Sequence, residues 1–265
     1  MKRLIVCIKQ VPDTSDVRID PETNTLVREG VESILNPLDP FAIEEAVRVK
    51  ERMGGVVTAI TMGPPQAKKV LQHAIALGAD EGYLICGPEF AGADTLATSY
   101  TLAQAIRRLG NAVLIFCGKQ AIDGDTAQVG PGIAAHLDLP QLIYVRKIRK
   151  INKRYIVVES MTDTGYEIIR STLPAVLTVV KEINEPRLPS LKSAMKGRRY
   201  EPNVLGGEEI KADFNRLGLK GSPTRVVRIF VPEQARKTKI LTGNPEEIAV
   251  NLFSSLQKEG VLRCQ

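Results

Sequence analysis

The chain has 265 residues, of which 43% are hydrophobic and 25% charged, a balance that excludes an intrinsically disordered protein and allows a full hydrophobic core. The net charge of +6 is mild and only 5% of the residues are aromatic, so we expect no nucleic acid among the partners. The sequence contains no apolar run of about eighteen residues, and its N-terminal apolar run is too short for a signal peptide, so we expect a cytoplasmic protein.

Short apolar runs alternate with amphipathic stretches over the first half of the chain. Residues 4–11 predict a buried strand, and a hairpin-like stretch follows at 17–30. A helix is predicted to begin near Asp39, whose carboxylate can cap it, and to end at Gly54. The next predicted elements are a strand at 56–63, a helix at 65–77, a strand at 81–86, a helix from Asp94, a strand at 112–118 and a helix at 126–137. Four successive strand–helix units predict an α/β fold with a doubly wound, mostly parallel, Rossmann-like sheet.

The pattern changes at residue 139. Four longer runs that alternate apolar and polar residues follow, and we expect them to extend the sheet in antiparallel fashion. Residues 186–243 contain little apolar material, which favours an arm that wraps around a partner, before a strand at 226–232 and a helix capped by Asn244. We therefore predict an α/β domain at 1–185 and a docking loop with a C-terminal arm at 186–265. The basic runs at 147–154 and 192–199 are interpreted as solvated or partner-facing.

Ligands of doubly wound sheets lie at the carboxyl ends of the strands, where helix N-termini offer free N–H groups. Four loops of this chain fall at such positions: residues 9–13, residues 36–39, residues 62–66 together with 90–95, and residues 118–132. Each of them ends in a helix start or a glycine. We predict that a ligand site forms where these loops converge.

The loop at 118–132 carries the most polar chemistry. Gly118-Lys119 is similar to the start of a phosphate-binding P-loop, yet Gln120 stands where that motif needs Ser or Thr to hold magnesium. Thr126 and Gln128 supply neutral donors at a predicted helix start, and the glycines allow a ligand to approach the backbone closely. Two aspartates in the loop suit a ribose or adenine acceptor and a helix cap. The alternative is an ordinary acidic turn that caps a helix.

Catalytic side chains are scarce. His73 and His136 lack a neighbouring nucleophile or acid at typical spacing, so we interpret both as structural or surface residues. Asp123 and Asp125 have no third ligand at fixed spacing, and the four cysteines form no CxxC pair, so we predict no metal site. A chain with many loops at strand ends but few catalytic side chains is most simply interpreted as a protein that holds a cofactor, and the cofactor would carry out the chemistry.

Three separated motifs resemble the β subunit of electron transfer flavoprotein: GKQAIDGDTAQVG at 118–130, LNPLDPFAIEEAVRVKE at 35–51 and LPAVLTVVKEINEPRLPSL at 173–191. The resemblance implies a nucleotide-binding domain and a heterodimer with an α subunit that carries FAD. It also implies electron delivery to a dehydrogenase or quinone reductase through a docking loop whose anchoring leucine is Leu191. The alternative for Leu191 is a residue packed into its own core.

Carried over by position, the family's adenine-nucleotide site falls on Cys7, Asn36, Pro37, Leu38, Asp39, Met62, Gly63, Gly118, Lys119, Gln120, Ala121, Ile122, Asp123, Gly124, Asp125, Thr126, Ala127, Gln128 and Val129. Residues 61–67 and 90–106 resemble the electron-bifurcating branch of the family, and add Gly92, Asp94, Thr95 and Thr98 to the expected site. That branch implies a bound FAD that accepts a hydride from NADH and divides the electrons between a low-potential acceptor, such as ferredoxin or an iron–sulfur subunit, and the α-subunit FAD. The alternatives are a β subunit that binds AMP and a non-redox nucleotide-binding protein.

Overall fold

The computed structural model describes residues 2–13, 18–19, 26–27, 33–225, 227, 238 and 240–262. They belong to two compact units, Met1–Arg228 and Ile229–Gln265. The strands are β1 (Arg3–Cys7), β2 (Gln10–Pro12), β3 (Arg18–Ile19), β4 (Leu26–Val27), β5 (Ser33–Leu35), β6 (Val56–Met62), β7 (Glu81–Ile85), β8 (Ala112–Gly118), β9 (Gln141–Ile151), β10 (Tyr155–Thr162), β11 (Gly165–Thr172), β12 (Ala175–Val179) and β13 (Asn203–Leu205). The α-helices are α1 (Asp39–Met53), α2 (Lys68–Ala76), α3 (Thr95–Leu109), α4 (Val129–Leu137), α5 (Leu191–Arg198) and α6 (Pro245–Lys258).

Within the described residues, nine strands form one sheet in the order β11-β10-β9-β12-β8-β1-β6-β7-β13. Seven strands run parallel to one another: β9, β12, β8, β1, β6, β7 and β13. The strand β10 pairs antiparallel with both β9 and β11. The predicted fold class is therefore confirmed, and β9, β10 and β11 form the expected antiparallel extension, but that expectation is wrong for β12, which pairs parallel with β8 and β9. All five residues of β12 are buried because it lies between β8 and β9 with both faces covered.

Helices cover both faces of the parallel part of the sheet. Alternate residues of β1 serve opposite layers: Leu4 and Val6 pack with the helices α1 and α2, whereas Ile5 and Cys7 pack with α3 and α4. The period of two along a strand makes both layers apolar, so β1 reads as a continuous apolar run. Gly130 on α4 lets that helix approach the sheet closely, because a Cβ there would collide with the Thr178 side chain.

The segment after residue 186 packs largely on its own chain. Gly197 of α5 lies against α2, where a Cβ would come within 2.5 Å of the Gln72 carbonyl oxygen, and β13 adds a parallel edge strand beside β7. Ile210 and Leu217 are buried against the α3 layer. The expectation that this segment buries little on its own chain is therefore wrong for residues 191–217, while an arm that wraps around a partner stays a prediction. Few apolar residues are needed in this segment because it packs on the edge strand β7 and on helix α2, which are already formed by the rest of the chain.

Three further predictions concern the C-terminal helix, the hairpin-like stretch at 17–30 and the strand at 226–232. In the second unit, helix α6 begins with the capping box formed by Asn244 and Glu247, as the sequence predicts, and no residue of α6 is buried. The short strands β3 and β4 pair antiparallel within the predicted hairpin-like stretch, whose other residues lie largely outside the described part of the chain. The predicted strand at 226–232 also lies outside the described residues, apart from Val227. In the described residues, no helix combines the length and apolar character needed to cross a bilayer.

Candidate functional site

The order in which the chain adds strands to the sheet reverses between β1 and β8. The chain moves from β1 to β6 and β7 on one side, and then crosses back to β8 on the other side of β1. Loops that leave neighbouring strands in opposite directions open a crevice at their carboxyl ends, which is where α/β proteins bind ligands. Cys7 and Cys117 are paired in register at this edge, with Gly118 directly after them. The predicted loops 36–39 and 118–128 meet above this point.

Asn36 joins the two loops. Its Nδ2 donates hydrogen bonds to Asp39 Oδ1 at 2.8 Å and to the Gln120 carbonyl oxygen at 3.0 Å, and its Oδ1 accepts from the Ile122 N–H at 3.1 Å. The side chain is buried, and three of its hydrogen-bonding positions are used within the protein. Asn36 therefore shapes the site by fixing the loop 118–128 to the end of β1.

Asp39 is buried beneath this junction. Its Oδ2 accepts a hydrogen bond from the Lys9 N–H at 2.7 Å, while Oδ1 accepts from Asn36. Burial raises the pKa of Asp39 to about 7, against the opposing effect of these hydrogen bonds and of the Lys9 charge. The predicted role of Asp39 as the cap of α1 is wrong, because the carboxylate makes no capping hydrogen bond to that helix. The Asp39 carboxylate instead accepts hydrogen bonds from Lys9 and Asn36, which the tertiary fold brings close to it.

The acidic side chains of the loop are engaged by neighbours. Asp123 accepts two hydrogen bonds of 2.7 Å from Lys9 Nζ, and Asp125 accepts one from Gln120 Nε2. The Lys9 ammonium offsets the negative charge of Asp123, which would otherwise repel a phosphate, whereas the neutral Gln120 amide only orients Asp125. The Lys119 N–H donates to the Val179 carbonyl oxygen at 2.8 Å, which ties the loop to β12. A Cβ at Gly118 would come within 2.5 Å of Asp39 Oδ1, so this position requires glycine.

Helix α4 begins at Val129, three residues later than predicted. Asp125 and Ala127 have positive φ angles of 56° and 54°, which the helix cannot accommodate, so Thr126 stays in the loop and Asp125 does not cap the helix. Gln128 precedes the helix without a capping hydrogen bond from its side chain. The first N–H groups of α4 are therefore left for an anion. The loop residues 123–126 are exposed beside them, and a Cβ at Gly124 would meet no atom within 4 Å.

The predicted residues from the α3 side divide into two groups. Thr95 belongs to the site, since its Oγ1 donates to Gln128 Oε1 at 2.9 Å, and Thr98 lies one turn further along α3. Asp94 caps α3 by accepting from the Leu96 and Ala97 N–H groups, and it also accepts from the N–H and hydroxyl of Thr224. Gly92 packs against Leu219, where a Cβ would lie 3.2 Å from the leucine Cβ. The α3 N-terminus is thus occupied by its own carboxylate.

An apolar cavity of about 480 Å³ lies at the ends of β6 and β7, on the same edge of the sheet as the crevice. Its lining includes the predicted residues Met62 and Gly63, and otherwise Pro64, Pro65, Cys86, Gly87, Pro88, Phe90 and Ala91. The volume falls in the range of small-molecule and cofactor sites. Pro64, Pro65, Phe90 and Ala91 lie in the predicted loops 62–66 and 90–95, whereas Cys86, Gly87 and Pro88 lie outside the loops that the sequence predicts. The available signal was the cluster of Gly and Pro directly after two buried strands.

The remaining candidate residues lie around or away from this centre. A hydrogen bond with the Cys117 thiol, together with burial, raises the pKa of Cys7 well above its usual range, so the Cys7 thiol in the floor of the crevice stays protonated. The ring of His136 packs edge-on against Tyr100 with 5.6 Å between centroids, and His73 lies on the exposed side of α2. The described residues contain no cluster of three or more acids, histidines or cysteines able to hold a metal. Leu191 lies apart from the crevice and is 81% exposed.

Comparison with known proteins places this arrangement in a family. Residues 23–205 match the electron transfer flavoprotein domain. The chain is 50% identical over 260 residues to the electron transfer flavoprotein subunit beta of Thermoanaerobacterium thermosaccharolyticum, which covers 98% of this chain and 99% of that protein. It is 45% identical over 262 residues to the caffeyl-CoA reductase-Etf complex subunit CarD of Acetobacterium woodii, covering 98% and 100% of the two chains. It is 46% identical over 262 residues to protein FixA of Sinorhizobium fredii, covering 96% and 91%.

Proposed function

This chain belongs to the electron transfer flavoprotein family as a β subunit, and we propose that its switch-point crevice holds FAD. The adenylate half would be held by the loops 36–39 and 118–128 and by the start of α4. The apolar cavity would take the flavin ring. β subunits of this family pair with an α subunit, and here the pair would exchange electrons with other redox proteins.

The donor set fits an anionic nucleotide. The uncapped N–H groups at the start of α4 and the neutral side chains of Thr126, Gln128 and Thr95 surround an exposed loop. The two loop aspartates are already bonded to Lys9 and Gln120. No Ser or Thr follows Lys119 to hold a magnesium ion, so the site suits a nucleotide that is bound and not cleaved.

The cavity is the observation that favours FAD over AMP. AMP ends at its phosphate and has no group that needs a 480 Å³ apolar space beside Met62 and Gly63. A flavin ring is flat and its dimethylbenzene half is apolar, and burial of that apolar half contributes favourable free energy. The likeness to CarD, named as part of a caffeyl-CoA reductase-Etf complex, supports a role in a larger redox assembly.

When bound, FAD would accept a hydride from NADH and release the electrons singly to a low-potential acceptor such as ferredoxin and to the FAD of the α subunit. The residues of this chain would bind, orient and shield the cofactor. The buried ionisable groups Asp39, Cys7 and Cys117 lie beneath the loop and support it, so the site needs no acid or base of its own. The alternatives are a β subunit that binds AMP and carries single electrons, and a nucleotide-binding protein without redox activity.

Co-expression with the α subunit tests the proposal directly. We expect the purified heterodimer to release two FAD and no AMP, and NADH to bleach the flavin absorbance under anaerobic conditions. The measurement is chromatography of the extracted cofactors, followed by an anaerobic titration with NADH. One FAD with one AMP and an unchanged spectrum would establish the AMP-binding carrier instead, and absence of flavin would leave only the non-redox alternative.

FAD and AMP should also differ in how they shield Cys86. This half-buried thiol lines the cavity, whereas Cys7 and Cys117 are buried beneath the site. On heterodimer stripped of its nucleotides, we expect FAD to slow alkylation of Cys86 by iodoacetamide about tenfold, with less than a twofold effect of AMP, since only a ligand that fills the cavity blocks access. Peptide mass spectrometry measures the modification, with Cys7 and Cys117 as slow internal references. Equal alkylation with both ligands would exclude the cavity as the flavin site without excluding FAD from the loop.

A further inference from the structure

Residues 184–187 are fixed to α1 by a group of buried and half-buried polar contacts. The Arg187 guanidinium bonds to Glu44 at 2.7 Å through Nε and to Glu51 at 2.7 Å through Nη1, and its backbone N–H also donates to Glu44 at 3.2 Å. Asn184 Nδ2 donates to the Phe41 carbonyl oxygen and to Glu45, both at 3.0 Å. The segment thus contacts α1 from Phe41 near its start to Glu51 near its end.

The ion pair between Arg187 and Glu44 is buried on the carboxylate side only, because the Arg187 side chain is 37% exposed. Glu44 is only 4% exposed. Burial alone would raise the pKa of this carboxyl, but hydrogen bonds from Arg187 and Arg48 hold it below its usual range. Loss of Arg187 would therefore leave a buried carboxylate with only Arg48 as a charged partner. Arg187 is the cation that couples the segment to the helix.

The other end of the segment is anchored as well. Ser190 caps α5 by accepting a hydrogen bond from the Ser193 N–H at 3.2 Å, and Gly197 packs tightly on α2. Between the two anchors lie Leu188, which is 91% exposed, and Leu191, which is 81% exposed. Two large apolar side chains held outward between fixed points are costly in water and typical of a docking surface.

Positive charge surrounds this apolar pair. Lys192, Lys196, Arg198 and Arg199 of α5 and its end are exposed, and none of them forms an ion pair with any residue that the structure describes. Basic residues around an apolar centre favour a partner with the opposite charge at its rim. They would also speed the first encounter with such a partner.

We propose that Arg187 is a positioning residue that holds Leu188 and Leu191 as a preorganised knob for a flavin dehydrogenase whose apolar pocket is rimmed by carboxylates. The inference rests on the proposed function, in which the heterodimer exchanges electrons with such a protein. Fixing the two leucines before contact reduces the conformational entropy that docking costs. Arg187 acts on the encounter without touching the partner or the cofactor.

The test uses the intact heterodimer and a purified flavin dehydrogenase that exchanges electrons with the wild-type pair. We expect Arg187→Gln to raise the apparent KM for the dehydrogenase about tenfold, with turnover of a small dye acceptor and the flavin content unchanged. The KM of Arg187→Lys should lie between those of the wild type and Arg187→Gln, because lysine restores the charge without the forked geometry. Hydrogen exchange of the amides 185–191 should accelerate in Arg187→Gln. Arg154→Gln, a change of an exposed arginine in the β9–β10 turn, is the matched control.

Further variants distinguish docking through Leu188 and Leu191 from the positioning role of Arg187. Leu188→Ala and Leu191→Ala should each raise the same KM; if neither does, docking at this loop is wrong. If they do but Arg187→Gln lowers only thermal stability, the docking site stands and the positioning role is overturned. Lys192→Glu with Lys196→Glu should raise KM about tenfold and flatten its dependence on salt. A lowered KM would show that the partner's rim is not acidic.

Discussion

Replacing Asn36 with leucine is expected to lower the free energy of unfolding by about 3 kcal/mol and to weaken nucleotide binding at least tenfold. The leucine is close in size but cannot donate to Asp39 and Gln120 or accept from Ile122. Three buried polar groups would lose a partner, and the loop 118–128 would lose its link to the end of β1. Urea unfolding and calorimetric titration with the nucleotide measure the two effects.

Asn251→Leu provides the matched control for this experiment. Asn251 is exposed on α6, so the same chemical change there should alter stability by less than about 0.5 kcal/mol. If Asn36→Leu instead weakens binding while stability stays unchanged, Asn36 acts on the ligand itself and not on the loop. If neither property changes, the junction between the two loops has no energetic role.

Raising the pH from 4 to 7 should destabilise the wild-type protein relative to Asp39→Asn by as much as about 4 kcal/mol. Burial raises the folded-state pKa of Asp39 from 3.8 to about 7, so the folded protein binds a proton in this range that the unfolded chain has released. Stability therefore falls as the pH rises through this window, and the penalty is complete above pH 7. A neutral asparagine at this position has no such proton to lose.

Urea unfolding of both proteins at several pH values between 4 and 8 measures this difference. Other carboxyls with shifted pKa values, such as Glu45, are present in both proteins and largely cancel in the comparison. Asparagine also turns one amide N–H toward a donor, which lowers its stability by a constant amount and leaves the slope untouched. Parallel curves for the two proteins would mean that Asp39 titrates normally in the fold.

Local chemistry was readable from the sequence wherever the partner of a residue is a neighbour in the chain. Asn244 at the start of α6 caps as predicted, since the capped N–H group lies three residues away, whereas Asp94, predicted as a cofactor-binding residue, is the cap of α3. Asp39 shows the same local signal, but Lys9 and Asn36 donate to it from other parts of the fold. The strand-end loops were predictable for a similar reason, because every parallel strand must end near the same edge.

Features set by tertiary contacts were less accessible. The late start of α4 follows from backbone angles at Asp125 and Ala127, residue types that give no warning of a left-handed conformation at both positions. The position of β12 between β8 and β9 reverses the order expected from the chain, although its unbroken apolar stretch was consistent with a central strand. The cavity beside Met62 escaped notice because apolar walls carry no chemical signature.

The insertion of β12 into the sheet also sets the order in which the protein can mature. The loop after β8 is tied down by the bond from the Lys119 N–H to the Val179 carbonyl oxygen, and β12 reaches its slot only after the β9–β10–β11 excursion has been synthesised. Contacts of such long sequence separation form slowly, because the intervening chain must be ordered first. A nascent chain that stops before residue 175 would possess most strands of the sheet, and its loop after β8 would be held by Asn36 and Lys9 but not by β12. We therefore expect this loop to reach its final geometry only after β12 has paired with β8 and β9.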